Sequence, residues 1–349
     1  MKLHVFNPEH DLALAANLSN FTAPHAGRNL RADLGCLPAL WADEDDVVLV
    51  ENIEQAKKTY ARLRARVGGK QCHFVDKNLL SKLDIREVEP WGWDLALRSS
   101  LLRYGVNAVP SEENIEIIRE LSHRRHAMSL LLKLQTIPGT IGTSYLAESV
   151  EDVLSYMKDY PRMVVKAPWS SSGRGVRFVG ASLNDYQERW ISNVIDKQGC
   201  VMVEPHYNKV RDFGMEFESD GMGNIKYLGL SLFQTKNGAY TGNIIADESE
   251  KRDILSRYIS IDLIGSVKLE IENALSEMYK GRYKGPFGVD MMLVATDEKD
   301  GFLLHPCVEI NLRRTMGHVA LSVPLFADGY ARVMQIVLAD KYRIRVRKA

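Results

Sequence analysis

The chain has 349 residues, 45% of them hydrophobic and 26% charged, which is long enough for two or three domains and too apolar for a disordered chain. Its 45 Lys+Arg balance 45 Asp+Glu, which excludes a global attraction to nucleic acid or to an anionic membrane. No run approaches the roughly 18 apolar residues of a membrane span, the N-terminus lacks the apolar core of a signal peptide, and Cys36, Cys72, Cys200 and Cys307 are too scattered for a zinc or redox pair. Reduced cysteines in a cytoplasmic protein are therefore expected.

In chain order, Leu3 to Phe6, Val47 to Val50 and His73 to Val75 read as short strands, and Glu54 to Val67 as a helix between the last two. This alternation predicts a small parallel sheet with crossover helices. Trp91 to Trp93 and Asn107 to Pro110 read as connectors, and Glu112 to Leu134 as one long helix ended by Pro138-Gly139. A second αβ stretch follows: a helix over Val150 to Met157 capped by Ser149, strands at Met163 to Lys166 and Val176 to Val179, and a helix over Leu183 to Ile195. From Val201 onward strands dominate, at Val201 to Glu204, Phe213 to Phe217, Ile225 to Phe233, Met291 to Val294 and Phe302 to Ile310. Helices are expected at Ser266 to Tyr279 and Leu325 to Leu338, and the basic tail Arg343, Arg345, Arg347, Lys348 reads as a solvated end. The chain is expected to be α/β, with an α+β C-terminal part and domains at 1–120, 121–200 and 201–349.

Three segments carry chemistry. In the first, an apolar strand ends in Lys166, a small-residue loop Ala167 to Gly175 follows, and a second strand begins at Val176. Such a loop can lay backbone N–H groups over phosphate oxygens, with lysine as a point charge, or it can be a plain hairpin tip. It is no Walker loop, because no Gly-Lys-Ser/Thr precedes a helix. In the second, the strand Val201 to Glu204 ends in Pro205-His206-Tyr207, with Asp212 beyond. In the third, Asp290 sits inside an apolar run, and Glu309, Asn311 and Arg313 follow at alternate positions. On a strand these three share a face. Two carboxylates and an amide oxygen form a hard-oxygen set suited to Mg²⁺, which shares its ligation with substrate phosphates; the competing reading is a polar sheet face with Arg313 paired to Asp290 or Glu309.

Taken in this order, the segments resemble the ATP-grasp superfamily over roughly residues 120–320, with a preceding domain at 1–110. The spacing from Lys166 to Val176 is similar to that of biotin carboxylase, and Asp290, Glu309 and Asn311 are similar to the metal triad of D-alanine–D-alanine ligases. The resemblance implies that Lys166, Ser171, Ser172, Gly173, Arg174 and Gly175 hold the phosphates of ATP. It implies that Glu204, Pro205 and Tyr207 form the adenine hinge and that Asp212 meets the ribose. Asp290, Glu309 and Asn311 would hold Mg²⁺, two ions in all, with Mn²⁺ able to substitute. Arg313 would stabilise charge on the transferring group. The chain departs from the family at Trp169 and at three serines in place of glycines. It also has Ser122-His123-Arg124-Arg125-His126 where the family carries its first lysine, which leaves Arg124 and Arg125 as replacements.

The implied activity is an ATP-dependent ligase that activates a small-molecule or peptide carboxylate as an acyl phosphate and joins it to an amine, without nucleic-acid or membrane partners. The alternatives are a phosphotransferase of the same fold and a nucleotide-binding regulator without turnover; the intact metal triad argues against the latter. Candidate substrate contacts are Glu9 and His10 at the end of the first strand, Tyr240 and Asn243 in a polar loop, and Arg314 and His318 after the metal strand, with His318 as a general base for the amine.

Overall fold

The computed structural model describes residues 1–170, 175–236, 239–298 and 301–349. The N-terminal part contains β1 (Lys2–Val5), α1 (His10–Ala16), α2 (His25–Leu34), β2 (Val47–Leu49), α3 (Ile53–Val67), β3 (His73–Val75), β4 (Glu87–Pro90) and α4 (Leu95–Arg103). Its strands form a parallel sheet in the order β3-β2-β1-β4. Strand β4 has no counterpart in the sequence reading, because Glu87 and Glu89 interrupt its apolar pattern. Those glutamates pair with Lys2 on β1, at 3.5 and 2.8 Å.

The long helix expected over Glu112 to Leu134 is two helices, α5 (Glu112–Leu121) and α6 (Arg125–Leu134). The break lies at Ser122, His123 and Arg124. His123 and Arg124 are both buried, and an uninterrupted helix could not turn two successive polar side chains inward to separate partners. The His123 ring stands edge-on to Trp169 and accepts the Arg125 N–H, at 3.0 Å.

The central sheet comprises β5 (Tyr145–Ala147), β6 (Met163–Lys166), β7 (Val176–Val179) and β8 (Val201–Pro205), antiparallel in the order β5-β8-β6-β7. Helices α7 (Val150–Tyr156) and α8 (Asp185–Gln198) cover one face. Each helix starts with a capping box, from Ser149 and from Asn184. Met163, Val165, Val201 and Val203 point into the core beneath those helices. The alternate residues Val164, Lys166, Met202 and Glu204 therefore face the other way.

The largest core lies behind a sheet of β9 (Lys209–Ser219), β10 (Ile225–Ser231), β13 (Gly285–Ala295) and β14 (Phe302–Asn311), ordered β10-β9-β13-β14. Helices α5 and α6 pack there with α9 (Glu248–Ser256) and α10 (Ile261–Tyr279). A fourth sheet joins β11 (Phe233–Lys236), β12 (Ala239–Ile245), β15 (Arg332–Leu338) and β16 (Tyr342–Lys348), while α11 (Met316–Ser322) follows β14. One expectation fails here: the helix at Leu325 to Leu338 is a turn and a strand. The basic tail has the solvated arginines expected of it, on an edge strand. In β16, Tyr342, Ile344 and Val346 pack against a core that also holds Phe6, Leu34 and Met334, while Arg343, Arg345 and Arg347 are exposed. Alternation at a period of two, with β-branched residues on the buried side, selects strand over helix. Among the described residues no helix is long and apolar enough to cross a membrane.

Candidate active site

The floor of the site is one face of the β9–β13–β14 sheet. Register places Gly214 opposite Asp290 and Asp290 opposite Glu309; one step on, Glu216 lies opposite Gly288, and Gly288 opposite Asn311. Directly opposed residues share a face. The polar alternation seen at Glu309 and Asn311 thus extends over three strands. The intervening residues Phe213, Met215, Phe217, Phe287, Val289 and Met291 fill the core on the other side. Glycines keep the floor open: a Cβ on Gly288 would lie 2.5 Å from Glu216 Oε2.

Three carboxylates on one face, Glu216 buried and Asp290 and Glu309 half-buried, repel one another. Burial, reinforced by the charges of Glu309 and Glu216, holds the Asp290 carboxyl well above the usual carboxylate range, against the hydrogen bond from Asn311. Asn311 Nδ2 donates to Asp290 Oδ2 at 3.0 Å. Among the described residues no three His, Cys, Asp or Glu side chains form a metal cage by themselves. Two carboxylates and an amide make a partial oxygen set, which fits Mg²⁺ completed by water and phosphate oxygens, and a cation there would relieve the repulsion on Asp290.

Opposite the floor stands the free face of the central sheet. Lys166 and Glu204 are diagonal neighbours on it, both buried, with Nζ and Oε2 2.6 Å apart. Lys166 also donates to the Val308 carbonyl on β14, at 3.2 Å, so the lysine spans the cleft. The adjoining loop closes at its root, where Ala167 N donates to the Gly175 carbonyl at 2.8 Å. A Cβ on Gly175 would lie 2.1 Å from that of Ser170, so only glycine fits there. Ser171, Ser172, Gly173 and Arg174 lie outside the described residues.

Burial separates Arg124 from Arg125. Arg125 is exposed, whereas buried Arg124 points into the cleft. Its Nη1 donates to the Ala167 carbonyl and to Ser170 Oγ, the latter at 2.8 Å, and its Nη2 reaches Glu309 Oε1 at 2.6 Å. One guanidinium therefore joins the root of the loop to the floor.

The remaining expected residues are distributed as follows. Pro205 ends β8, and Tyr207 accepts the Thr143 N–H at 3.1 Å with its ring edge-on to His305. Asp212 bonds Lys209 at 2.6 Å and Thr235 at 2.5 Å. Arg313 leaves the end of β14 and grips Asp11 of α1. Glu9 pairs with Arg31, and His10 Nδ1 lies 3.4 Å from Asp94 Oδ2. Asn243 donates to Ser231 Oγ at 2.8 Å, beside the floor, and the buried Tyr240 hydroxyl has no partner among the described residues.

Two residues are engaged by protein partners. Arg314 reaches Glu89 at 3.1 Å and stacks over Trp41. His318 is buried, with Nε2 3.2 Å from the Phe217 carbonyl, and Nδ1 3.1 Å from Thr315 N and 3.0 Å from Glu216 Oε2, so neither ring nitrogen is free to take a proton from an amine. The sequence reading missed Glu216, although its alternation with Gly214 is the same signal that exposed Glu309 and Asn311. Nor did it pair Arg313 with Asp11, 302 residues away.

The fold has clear counterparts among solved structures. N5-carboxyaminoimidazole synthetase from Staphylococcus aureus, complexed with ADP, superposes with a TM-score of 0.52 at 11% identity, covering 97% of this chain and 82% of that one. The biotin carboxylase domain of 2-oxoglutarate carboxylase from Hydrogenobacter thermophilus, complexed with MgADP, ADP and bicarbonate, gives 0.54 at 13% identity, covering 96% and 74%. An ATP-grasp superfamily protein from Archaeoglobus fulgidus gives 0.51 at 13% identity and covers 100% and 99%. No protein-family profile matches the chain, and no curated protein matches its sequence.

Proposed function

We propose that this chain, which has the ATP-grasp fold, is an ATP-dependent ligase that activates a carboxylate and joins it to an amine. One observation carries the reading. Across a single cleft, Lys166 and Arg124 face the oxygen set Asp290, Glu309 and Asn311, with Arg313 at its end. Cations on one wall and acids on the other are what a magnesium–polyphosphate complex needs from a protein.

In this reading, Lys166 and the loop ending at Gly175 bind the α- and β-phosphates, and Glu204, Pro205 and Tyr207 hold the base. Asp290, Glu309 and Asn311 hold magnesium, which when bound supplies charge neutralisation and a template for the phosphates. The central sheet acts as the lid and excludes water that would hydrolyse an acyl phosphate. Arg313 meets the charge that develops on the transferring group. Glu9, His10, Tyr240 and Asn243 border the space left for the carboxylate and the amine.

The test is ADP release by purified protein against pools of amino acids, peptides and amines, with Glu309→Gln as control. A ligase releases ADP and phosphate only when carboxylate and amine are both present, and Glu309→Gln, lacking the charge that holds magnesium, abolishes that release. Turnover undiminished in Glu309→Gln would remove the metal assignment, and phosphate retained on a single acceptor would identify a phosphotransferase instead.

A further inference from the structure

Arg313 lies two residues beyond the end of β14, so the sheet does not fix its side chain. Its hold comes from α1. Nε donates to Asp11 Oδ1 at 2.9 Å and Oδ2 at 3.1 Å, and Nη2 donates to Asp11 Oδ2 at 2.7 Å. Nη2 also donates to Asn311 Oδ1 at 2.9 Å, and Nη1 to the Arg314 carbonyl at 3.0 Å. Of the five guanidinium N–H groups, Nε uses one, Nη2 two and Nη1 one, which leaves a single Nη1 donor without a partner among the described residues. The Asp11 and Arg313 side chains are 17% and 15% exposed, so water screens the pair weakly. A two-point grip fixes the plane of a guanidinium as well as its position. Through Asn311, which donates to Asp290, the grip continues into the acid floor.

We infer that Asp11 is a positioning residue for the transfer step, setting the plane and reach of the Arg313 guanidinium beside the Asp290, Glu309 and Asn311 floor. Asp11 is carried by the helix that follows β1, so the N-terminal sheet aims the group that meets the transferring charge. The inference rests on the reading of Arg313 given above, and it makes the N-terminal part of the chain a component of the chemistry as well as a neighbour of the substrate.

The experiment needs no substrate. Full-length protein is titrated calorimetrically with MgATP and with MgADP plus aluminium fluoride, a mimic of the transferring phosphoryl group. Asp11→Asn keeps the shape and one acceptor oxygen but loses the charge-assisted grip. It is expected to bind MgATP within about threefold of wild type and to lose about 10- to 100-fold for the mimic, the scale of a misplaced catalytic group. Asp11→Glu restores the charge on a longer arm and is expected to fall between the two. A merely structural ion pair would lower both affinities together or neither. If Arg313→Lys keeps full affinity for the mimic, the Arg313 reading fails and the inference with it. If Arg313→Lys loses the mimic while Asp11→Asn keeps it, the Arg313 reading stands and Asp11 is no positioning residue. Should Asp11→Asn fail to fold, Asp11→Glu decides alone: an unchanged ratio of mimic to MgATP affinity overturns the inference.

Discussion

Lys166 and Glu204 form a buried ion pair on the central-sheet wall of the cleft, and this couples stability to nucleotide binding in a measurable way. Their side chains are 8% and 9% exposed and their charged atoms 2.6 Å apart. Removing one partner strands a desolvated charge, which costs about 3–5 kcal/mol, whereas replacing both by neutral groups of similar shape is close to neutral. Lys166→Met and Glu204→Gln should therefore each destabilise by about 3 kcal/mol or more, and the double variant by far less, for a coupling energy above roughly 2 kcal/mol. The assay is a double-mutant cycle in urea, followed by circular dichroism without nucleotide. Calorimetric titration of ATP completes it: Lys166→Met, without its charge-assisted contact to phosphate, should bind ATP about 10- to 100-fold more weakly, and restoring stability with Glu204→Gln should not recover that loss. A coupling energy near zero would refute the reasoning, because it would mean that water or a neighbouring charge already compensates each member of the pair.

Other outcomes follow from packing and titration. A Cβ on Gly317 would sit 1.8 Å from Glu216 Oε1 and 2.5 Å from Ser231 Oγ, so Gly317→Ala should destabilise by about 1–3 kcal/mol. Gly265→Ala, within α10 and with nothing inside 4 Å, should stabilise by about 0.4–1 kcal/mol; thermal melts decide both, and a neutral Gly317→Ala would show that Glu216 can move. His123 is pushed down to about 3 by burial, with the charges of Arg125 and His126 adding. The unfolded chain therefore takes up a proton that the folded one refuses once the pH drops below about 6.5, and stability present above that pH is lost toward 3 at up to about 1.4 kcal/mol per pH unit. His305, likewise pushed down to about 3 by burial and then by Lys166, adds a similar share, so His123→Phe should lower the slope between pH 6 and 5 in urea titrations by about 1 kcal/mol per pH unit; an unchanged slope would count against a neutral buried His123.

Several features of this protein are local and were legible in the residues alone. The polar alternation at Glu309 and Asn311, the strand-end Lys166 beside a small-residue loop, and the Ser149 cap each depend on side-chain periodicity or on neighbours a few residues away. The strand over Arg332–Leu338 carries a two-residue alternation as well, but its buried face meets Phe6 and Leu34 from the other end of the chain, and without that core the same residues also suit a helix. The break between α5 and α6 was invisible for the same reason. His123 and Arg124 leave the helical path to reach Trp169 and Glu309, and nothing in their own segment demands it. The tertiary structure alone buried Arg124 while exposing Arg125, turned Arg314 toward Glu89 and His318 against Glu216, and brought Asp11 to Arg313. Each of these outcomes depends on a charge finding its partner across a buried distance, and spacing along the sequence carries no information about which distant segment will supply that partner.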